Sequence, residues 1–309
     1  MSLITYVIPT RNEETGIEDL FRAIKHIIFE LNKLGHTLEV VIVDNYSSDL
    51  TVARISEVSK KESVKVNLYC LNRNYGLQRS LLFGMSKATG DAVVILQSDL
   101  QDPVSASIEM VQAWEMGART VAGISHKRSE KKSTILSSGL FYYVINFLSD
   151  IVVLKWFQDF FLLDKTVYTD LARRINHYEF LRGRIVEEYG VDKKIYYERL
   201  GRKKGVSNFN FAGRYSIAMD GITRFGTKLI RRYVILGTSV LGLATLGFFI
   251  NIIGLMITGE RYLGNILAWA IIVLLGLIIF SSGIILEYLI RLLKLSSINS
   301  TEIYFEKVL

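Results

Sequence analysis

The sequence predicts an α/β domain built on a parallel sheet, followed by a membrane hairpin of two helices. Short apolar runs rich in β-branched residues alternate with segments of helical periodicity as far as Gly123. Two later runs, Tyr233–Gly259 and Tyr262–Leu286, contain no charged residue. Each run exceeds the roughly 20 residues with which a helix crosses a bilayer. The chain of 309 residues therefore combines a water-facing domain with a membrane segment.

The alternating pattern predicts these elements in order. Strands are expected at Leu3–Ile8, Leu38–Val43, Val64–Leu71, Ala92–Gln97 and Thr120–Gly123. Helices are expected at Ile17–Leu34, Ser48–Lys60, Leu77–Lys87 and Ser105–Met116. Pro9 closes the first strand, and Gly35 is a C-cap signal for the first helix. Strands that alternate with helices indicate βαβ units and a parallel sheet, in which ligands bind at the carboxyl ends of the strands.

Two segments before the hairpin have a different character. Ser133–Phe157 places apolar residues on one helical face and follows the basic run Lys127–Lys132. Arg214–Arg232 is a second segment of this kind. We expect both to be amphipathic helices in the membrane interface, with an ordinary core helix as the alternative for the first.

The chain therefore divides into three expected regions. They are the α/β core at 1–132, an acceptor-side region with interfacial helices at 133–232, and the hairpin with its tail at 233–309. Basic residues flank the outer ends of the hairpin, which predicts that both termini and the large domain are cytoplasmic. The N-terminus has the pattern of a strand and lacks that of a signal peptide.

Net charge and cysteine content indicate which partners and which kinds of site the chain can have. The net charge is +7, and the basic residues cluster in Lys127–Lys132, Arg199–Lys204 and Lys228–Arg232. Such clusters suit an anionic membrane or a phosphate substrate. The chain has no helix-turn-helix, zinc-finger or RNA-binding signature, so nucleic acid is not an expected partner. The single cysteine, Cys70, excludes a disulfide framework and a cysteine-based metal site.

Acidic groups follow three of the predicted strands. The segments are Pro9–Glu14, Asp44–Asp49 and Asp99–Pro103. A single Asp in a loop is usually a turn residue or a helix N-cap, and we expect Asp49 and Asp102 to be caps. Acidic groups after several strands of one sheet instead predict a site where oxygen ligands hold Mg²⁺ or Mn²⁺.

The motifs identify a resemblance that runs nearly from end to end. They are Pro9–Glu14, Arg73–Gly76, Asp99–Pro103, Gln158–Leu163, Phe180–Gly183, Arg202–Asn208, Asp220–Phe225 and Leu286–Arg291. In this order, and with the two apolar runs, the chain resembles family 2 glycosyltransferases of the GT-A fold. Among these it is similar to polyprenyl-phosphate glycosyltransferases, such as dolichol-phosphate mannose synthases and bacterial undecaprenyl-phosphate glucosyltransferases.

The resemblance implies roles for the matching residues. The nucleotide-sugar would contact Pro9, Arg11, Glu13, Asp44, Asn45, Ser98 and Gln101. A Mg²⁺ or Mn²⁺ ion would bind Asp99, Gln101 and Gln97. Asp159, Asp99 and Arg202 would act in catalysis, and phosphate or acceptor groups would contact Arg128, Arg182 and Ser207.

The implied reaction is an inverting transfer of a sugar from a nucleotide-sugar to a polyprenyl phosphate. UDP-glucose is the expected donor, with GDP-mannose or another UDP-sugar as the alternative. The expected location is the bacterial inner membrane, which the chain would cross more than once. The sequence leaves the oligomeric state open, a homo-oligomer included.

Departures from the family pattern keep two other classes open. The family usually has an acidic residue where this chain has Asn45 and Gln97, and each change removes a charge. The cation site would then be weaker, or the chain would be a catalytically silent membrane relative. A processive polysaccharide synthase is disfavoured because no Arg precedes Trp114, Trp156 or Trp269.

Overall fold

The computed structural model describes residues 1–126, 154, 156–173, 181–200, 227–258, 263–296 and 305–309. These residues belong to two compact units. One unit contains the sheet, its helices and the last residues of the chain, and the other contains the two long helices.

The described residues form these strands and helices. The strands are β1 (Leu3–Thr10), β2 (Thr37–Asp44), β3 (Asn67–Leu71), β4 (Ala92–Ile95), β5 (Thr120–His126), β6 (Phe157–Asp164), β7 (Lys193–Glu198) and β8 (Phe305–Lys307). The helices are α1 (Ile17–Lys33), α2 (Thr51–Glu62), α3 (Leu77–Lys87), α4 (Val104–Glu115), α5 (Lys165–Arg173), α6 (Leu181–Arg184), α7 (Thr227–Thr258) and α8 (Leu263–Ser296). A 3₁₀ turn at Glu14–Gly16 precedes α1, and a π-helical turn at Ile185–Tyr189 follows α6.

Within the described residues the strands form one eight-stranded sheet, in the order β7-β5-β6-β4-β1-β2-β3-β8. Strands β4, β1, β2 and β3 are parallel, as expected. Strand β6 lies antiparallel between β4 and β5, and β8 adds an antiparallel edge to β3. The five predicted strands therefore all run in one direction, as expected, because β4 and β5 are both antiparallel to β6. The sheet is mixed because two strands that were not predicted, β6 and β8, join it in the antiparallel direction.

Both faces of the sheet are covered, which explains why its inner strands are apolar on both sides. One face packs against α1, α2 and α4, and Tyr6, Ile8 and Ile42 are buried there. The other packs against α3, α5 and α6, and Val7 and Val43 are buried there. Side chains of adjacent strand residues point to opposite faces, so near-continuous apolar runs are needed.

The first nine predicted elements all form, with small differences at their ends. The largest are three residues, at the start of β3, at the end of β5 and at the start of α2, which begins at Thr51 and not at Ser48. The carboxylate of Asp49 accepts the backbone N–H of Thr51 at 3.1 Å and also its hydroxyl. This local turn lies before the helix, whose N-cap is Leu50 and which has no side-chain cap, so the expectation of Asp49 as the N-cap is wrong.

Helices α7 and α8 form an antiparallel pair that is long and apolar enough to cross a membrane, judged on the described residues. Their backbones approach closely at glycine. A Cβ built on Gly276 would lie 3.0 Å from the Cα of Leu241, and one on Gly237 would lie 2.9 Å from the backbone nitrogen of Phe280. Small residues at such contacts are typical of helix pairs in lipid.

The predicted interfacial helices lie mostly outside the described residues. Of Ser133–Phe157, the structure describes residue 154 and residues 156–157, and Phe157 begins β6. Of Arg214–Arg232, it describes residues 227–232, which form the start of α7. Strands β6 and β7, from the region expected at 133–232, and β8, from the region expected at 233–309, are strands of the same sheet as β1.

Candidate active site

The loops that follow β1 and β2 hold each other in place. The backbone N–H of Asn12 donates to the hydroxyl of Ser47 at 2.9 Å, and the Oδ1 of Asn12 accepts the N–H of Ser48 at 2.9 Å. The carboxylate of Glu14 accepts the N–H of Leu50 at 2.9 Å. These contacts fold the Pro9–Glu14 segment over the carboxyl end of β2.

Asp44 ends β2 with its carboxylate buried beneath this loop pair. Its oxygens accept the hydroxyl and the N–H of Ser47, the latter at 2.9 Å. Burial raises the pKa of the Asp44 carboxyl, and the two hydrogen bonds from Ser47 oppose that rise. The side chain is thus a fixed acceptor at the edge where a ligand of an α/β sheet binds.

Asn45 joins the end of β2 to the loop that follows β3. Its Nδ2 donates to the Oδ1 of Asn74 at 2.8 Å, and its own Oδ1 accepts the N–H of Tyr75 at 2.9 Å. Its backbone N–H donates to the carbonyl of Thr10 in β1 at 2.9 Å. An amide both donates and accepts here, so a carboxylate in this position could not make the same set of contacts.

The segment after β4 turns sharply across the sheet edge. Leu100 has a φ of 50°, and its N–H donates to the carbonyl of Gln97 at 3.2 Å. The carboxylate of Asp99 accepts the N–H of Gln101 at 3.2 Å. The partly exposed carboxylate of Asp99 therefore stands on a tight turn at the carboxyl end of β4.

Bulky residues in the left-handed region mark the ends of β2 and β4. Tyr46 has a φ of 64° and Leu100 a φ of 50°. The left-handed conformation costs about 1–2 kcal/mol for a residue with a Cβ. Strain of this kind is concentrated where a protein binds or reacts, and here it accompanies the acidic loops.

Asp102 is not the helix cap that the sequence suggests. Helix α4 begins after Pro103 without a side-chain cap, and the Oδ1 of Asp102 accepts the hydroxyl of Tyr197 at 2.5 Å. The Nε of Arg199 lies 3.4 Å from the same oxygen. Burial raises the pKa of the Asp102 carboxyl, nearby Asp99 and Asp159 add to the rise, and Tyr197 and Arg199 oppose it. Asp102 thus anchors the end of β7 under the acidic loop.

Asp159 in β6 is held by side chains from α3 and α6. Its Oδ1 lies 3.2 Å from the Nε of Arg182 and accepts the Nε2 of Gln78 at 3.0 Å. Gln97 donates to the backbone carbonyl of Asp159 at 3.3 Å. The insertion of β6 beside β4 thus brings Asp159 to the loop that carries Asp99.

The side chains around Asp99 offer oxygen ligands for a divalent cation. Within the described residues, no group of three His, Cys, Asp or Glu side chains could hold a metal ion. Mg²⁺, however, is usually bound through one or two carboxylates together with substrate phosphates and water. The carboxylate of Asp99 and the amide oxygens of Gln97 and Gln101 are the ligand types that suit a cation of that kind, bound together with a diphosphate.

The predicted site residues are partly brought together. Pro9, Asp44, Asn45 and Ser98 are buried at the carboxyl ends of the strands, and Arg11 and Glu13 lie at the rim with Arg11 exposed. Asp159 and Arg182 form an ion pair. Arg128, Arg202 and Ser207 lie outside the described residues.

Sequence reasoning missed side chains that support the site. Gln78 and Asn74 contact predicted site residues, and Arg199 and Tyr197 fix Asp102. Asn74 belongs to the Arg73–Gly76 motif, and Arg199 starts the basic run Arg199–Lys204. No sequence pattern indicates a role for Gln78, because its contact with Asp159 exists only when α3 and β6 are packed together.

The chain is similar to known proteins over most of its length. The chain is 27% identical over 292 residues to the bactoprenol glucosyl transferase of Shigella phage SfV, with 94% of each chain covered. It is 29% identical over 294 residues to the uncharacterized glycosyltransferase sll0501 of Synechocystis, covering 93% of this chain and 90% of the relative. Among solved structures, mannosyl-3-phosphoglycerate synthase from Rubrobacter xylanophilus matches with a TM-score of 0.46 and 17% identity, covering 72% of this chain and 73% of that one.

The family assignment rests on the sequence model that covers most of the α/β unit. Residues 5–190 match the model of glycosyl transferase family 2, and this span is more than half of the chain. The mixed sheet with helices on both faces is of the GT-A type, as expected from the motifs. The protein is therefore a glycosyltransferase and belongs to glycosyl transferase family 2.

Proposed function

We propose that this enzyme transfers a hexose from a nucleotide-sugar, most readily UDP-glucose, to a polyprenyl phosphate of the undecaprenyl type, with inversion at the anomeric carbon. The observation that carries the proposal is the junction of the Asp99 loop with Asp159 at the carboxyl edge of a family 2 sheet. The relative from Shigella phage SfV, named for bactoprenol and glucose, supports the acceptor and the sugar.

The nucleotide-sugar would bind across the ends of β1, β2 and β4. Asp44 and Asn45 are buried there and rigidly held, which suits recognition of the nucleoside. Arg11 and Glu13 at the rim, with Pro9 and Ser98, would complete this pocket. A site whose polar groups are already fixed loses little conformational entropy when the ligand binds.

A divalent cation held by Asp99, Gln97 and Gln101 would neutralise the leaving diphosphate. The amide nitrogen of Gln97 donates to the carbonyl of Asp159, so the amide oxygen is the atom suited to the cation. The guanidinium groups of Arg128 and Arg202 would add to the stabilisation of the phosphate charges, because a guanidinium binds phosphate oxygens in a fixed plane. Ser207 would contact the same phosphate groups.

The acceptor phosphate needs little help from a general base, because its second pKa is about 6 and it is largely ionised near neutral pH. Asp159 would instead orient the sugar or the acceptor. Its Oδ1 is engaged by Arg182 and Gln78, so Oδ2 is the oxygen that we assign to the substrate. Arg182 would partly balance the repulsion between Asp159 and an incoming phosphate.

The hairpin would keep the enzyme at the membrane where its lipid acceptor resides. Helices α7 and α8 have the length and apolar character to span a bilayer. We place the α/β unit on the cytoplasmic side of a bacterial inner membrane, because basic residues flank the hairpin. A homo-oligomer is compatible with this arrangement.

The test is a transfer assay with the full-length protein in membranes or detergent. UDP-glucose, other UDP-sugars and GDP-mannose are each offered with undecaprenyl phosphate and Mg²⁺ or Mn²⁺, and the lipid extract is analysed for the glycosylated product. We expect product with one donor and none with Asp159→Asn. Transfer from GDP-mannose alone would correct the donor, and neither transfer nor donor hydrolysis with any sugar would identify a silent relative.

A further inference from the structure

Gln78 lies near the start of α3 and contacts two other elements. It is the second residue of α3, and it is only partly exposed. Its Nε2 donates to the Oδ1 of Asp159 at 3.0 Å, and its Oε1 accepts the backbone N–H of Leu181 at 3.1 Å. One amide therefore ties β6 and α6 to α3.

The same carboxylate oxygen is shared with Arg182, whose Nε lies 3.2 Å away. Arg182 also donates to the backbone carbonyl of Phe157, two residues before Asp159. An ion pair alone would allow the carboxylate to rotate about its terminal torsion, which is soft for Asp. A second donor on the same oxygen, held by a different helix, fixes that rotation.

We propose that Gln78 is a positioning residue for sugar transfer, which sets the orientation of the Asp159 carboxylate so that Oδ2 faces the substrate. This inference rests on the substrate role proposed for Asp159. Because Gln78 also holds the N–H of Leu181, it places Arg182 and Asp159 with one side chain. It makes no contact with the substrate in this proposal.

The chemistry of the amide explains why this residue type suits the position. Glutamine donates to a carboxylate and accepts from an N–H at the same time, whereas glutamate can only accept when ionised. A carboxylate at position 78 would face Asp159 across about 3 Å and would repel it. Alanine would remove both contacts without adding charge.

The first experiment measures kcat and KM of Gln78→Ala with full-length protein. We expect kcat to fall by ~10- to 100-fold, since misplacement of a reacting group by about 1 Å can cost 100-fold. The KM for the nucleotide-sugar should change less than about threefold, because the donor pocket at β1 and β2 is untouched. Gln112→Ala, at an exposed position on α4, is the matched control and should retain normal kcat.

The second experiment exchanges the two functional groups. Gln78→Glu should lower both the melting temperature and transfer. In the double variant Gln78→Glu/Asp159→Asn, the introduced amide can donate to the introduced carboxylate, which restores the hydrogen bond. We expect the melting temperature to recover in part, because the introduced amide nitrogen no longer accepts from Arg182. We expect transfer to be lost, because the carboxylate is no longer on β6.

The outcomes distinguish the positioning role of Gln78 from the substrate role of Asp159 on which it rests. If Asp159→Asn transfers sugar at the normal rate, the substrate role of Asp159 is wrong and that of Gln78 falls with it. If Asp159→Asn is inactive but Gln78→Ala keeps its kcat within twofold, only the inference on Gln78 is overturned. Recovery of transfer in the double variant would assign both residues a purely structural role.

Discussion

Asn45 donates its side-chain amide to the Oδ1 of Asn74, 2.8 Å away, and so fastens the end of β2 to the loop after β3. Asn74 uses that same oxygen to accept the N–H of Gly76 at 3.0 Å. The position where the family usually has an acidic residue is therefore occupied here by a donor that the structure uses.

Changing Asn45→Asp should destabilise the protein and weaken nucleotide binding. The carboxylate would face the Oδ1 of Asn74 without a proton to donate, and the side chain is buried. Loss of a buried partner costs about 1–3 kcal/mol. Thermal unfolding with and without UDP measures both effects. Asn32→Asp, on the exposed surface of α1, is the charge-matched control and should shift stability by no more than about 0.5 kcal/mol.

Asp99→Ala should reduce sugar transfer by about 100-fold or more and should remove its dependence on divalent cation. Asp99 is the carboxylate on the turn after β4 that we propose as a ligand of the cation bound with the diphosphate. Initial rates across a Mn²⁺ titration, with a chelator arm, give the result. Full activity of the variant, or of the unmodified enzyme in excess chelator, would refute the cation role.

Gln97→Asp distinguishes a weak cation ligand from a structural amide. The Nε2 of Gln97 donates to the carbonyl of Asp159 at 3.3 Å, and aspartate cannot make this bond. We therefore expect lower activity together with unchanged or tighter cation binding. A rise in both activity and cation affinity would show that the hydrogen bond is dispensable and that the position acts only through the metal.

Removal of residues 305–309 should make Cys70 reactive. Burial, followed by the charges of Asp44 and Glu306, raises the pKa of this thiol to about 11, so about one thiol in a thousand is ionised at pH 8. Strand β8 pairs Glu306 with Cys70, and its removal takes away one of these charges and exposes the strand. Alkylation by iodoacetamide at pH 8 should accelerate at least tenfold. An unchanged rate would mean that β8 does not protect β3.

The topology of the hairpin can be tested with reporters. Fusions at Leu309 and insertions within Glu260–Arg261 should report opposite sides of the membrane, with the C-terminus cytoplasmic. Exchange of the flanking basic residues Arg231 and Arg232 for Ala should weaken this orientation. Equal signals on one side from both reporters would argue against a spanning hairpin.

Local pattern was sufficient for the elements from β1 to β5 and for the two long helices α7 and α8, and it was insufficient for the strands β6, β7 and β8. Elements from β1 to α4 follow from periodicity, because each is a regular run bounded by turn residues. The run Phe157–Asp164 is apolar on both faces, and its place between β4 and β5 depends on pairing with distant strands. The site shows the same limit, since Gln78 meets a partner 81 positions away that no short-range pattern indicates.

The pairing of β8 with β3 limits how many times the chain can cross a membrane between β7 and β8. Strand β8 is bonded to β3, so the chain leaves the α/β unit after β7 and returns to it before its end. A path that starts and finishes in one compartment crosses any bilayer an even number of times. If a single apolar helix between β7 and β8 were lost or gained, residues 305–309 would end in the opposite compartment from the rest of the sheet. Strand β3 would then be an unpaired edge of the sheet. The number of spans that we propose for this chain would therefore change only in pairs while the sheet keeps its last strand.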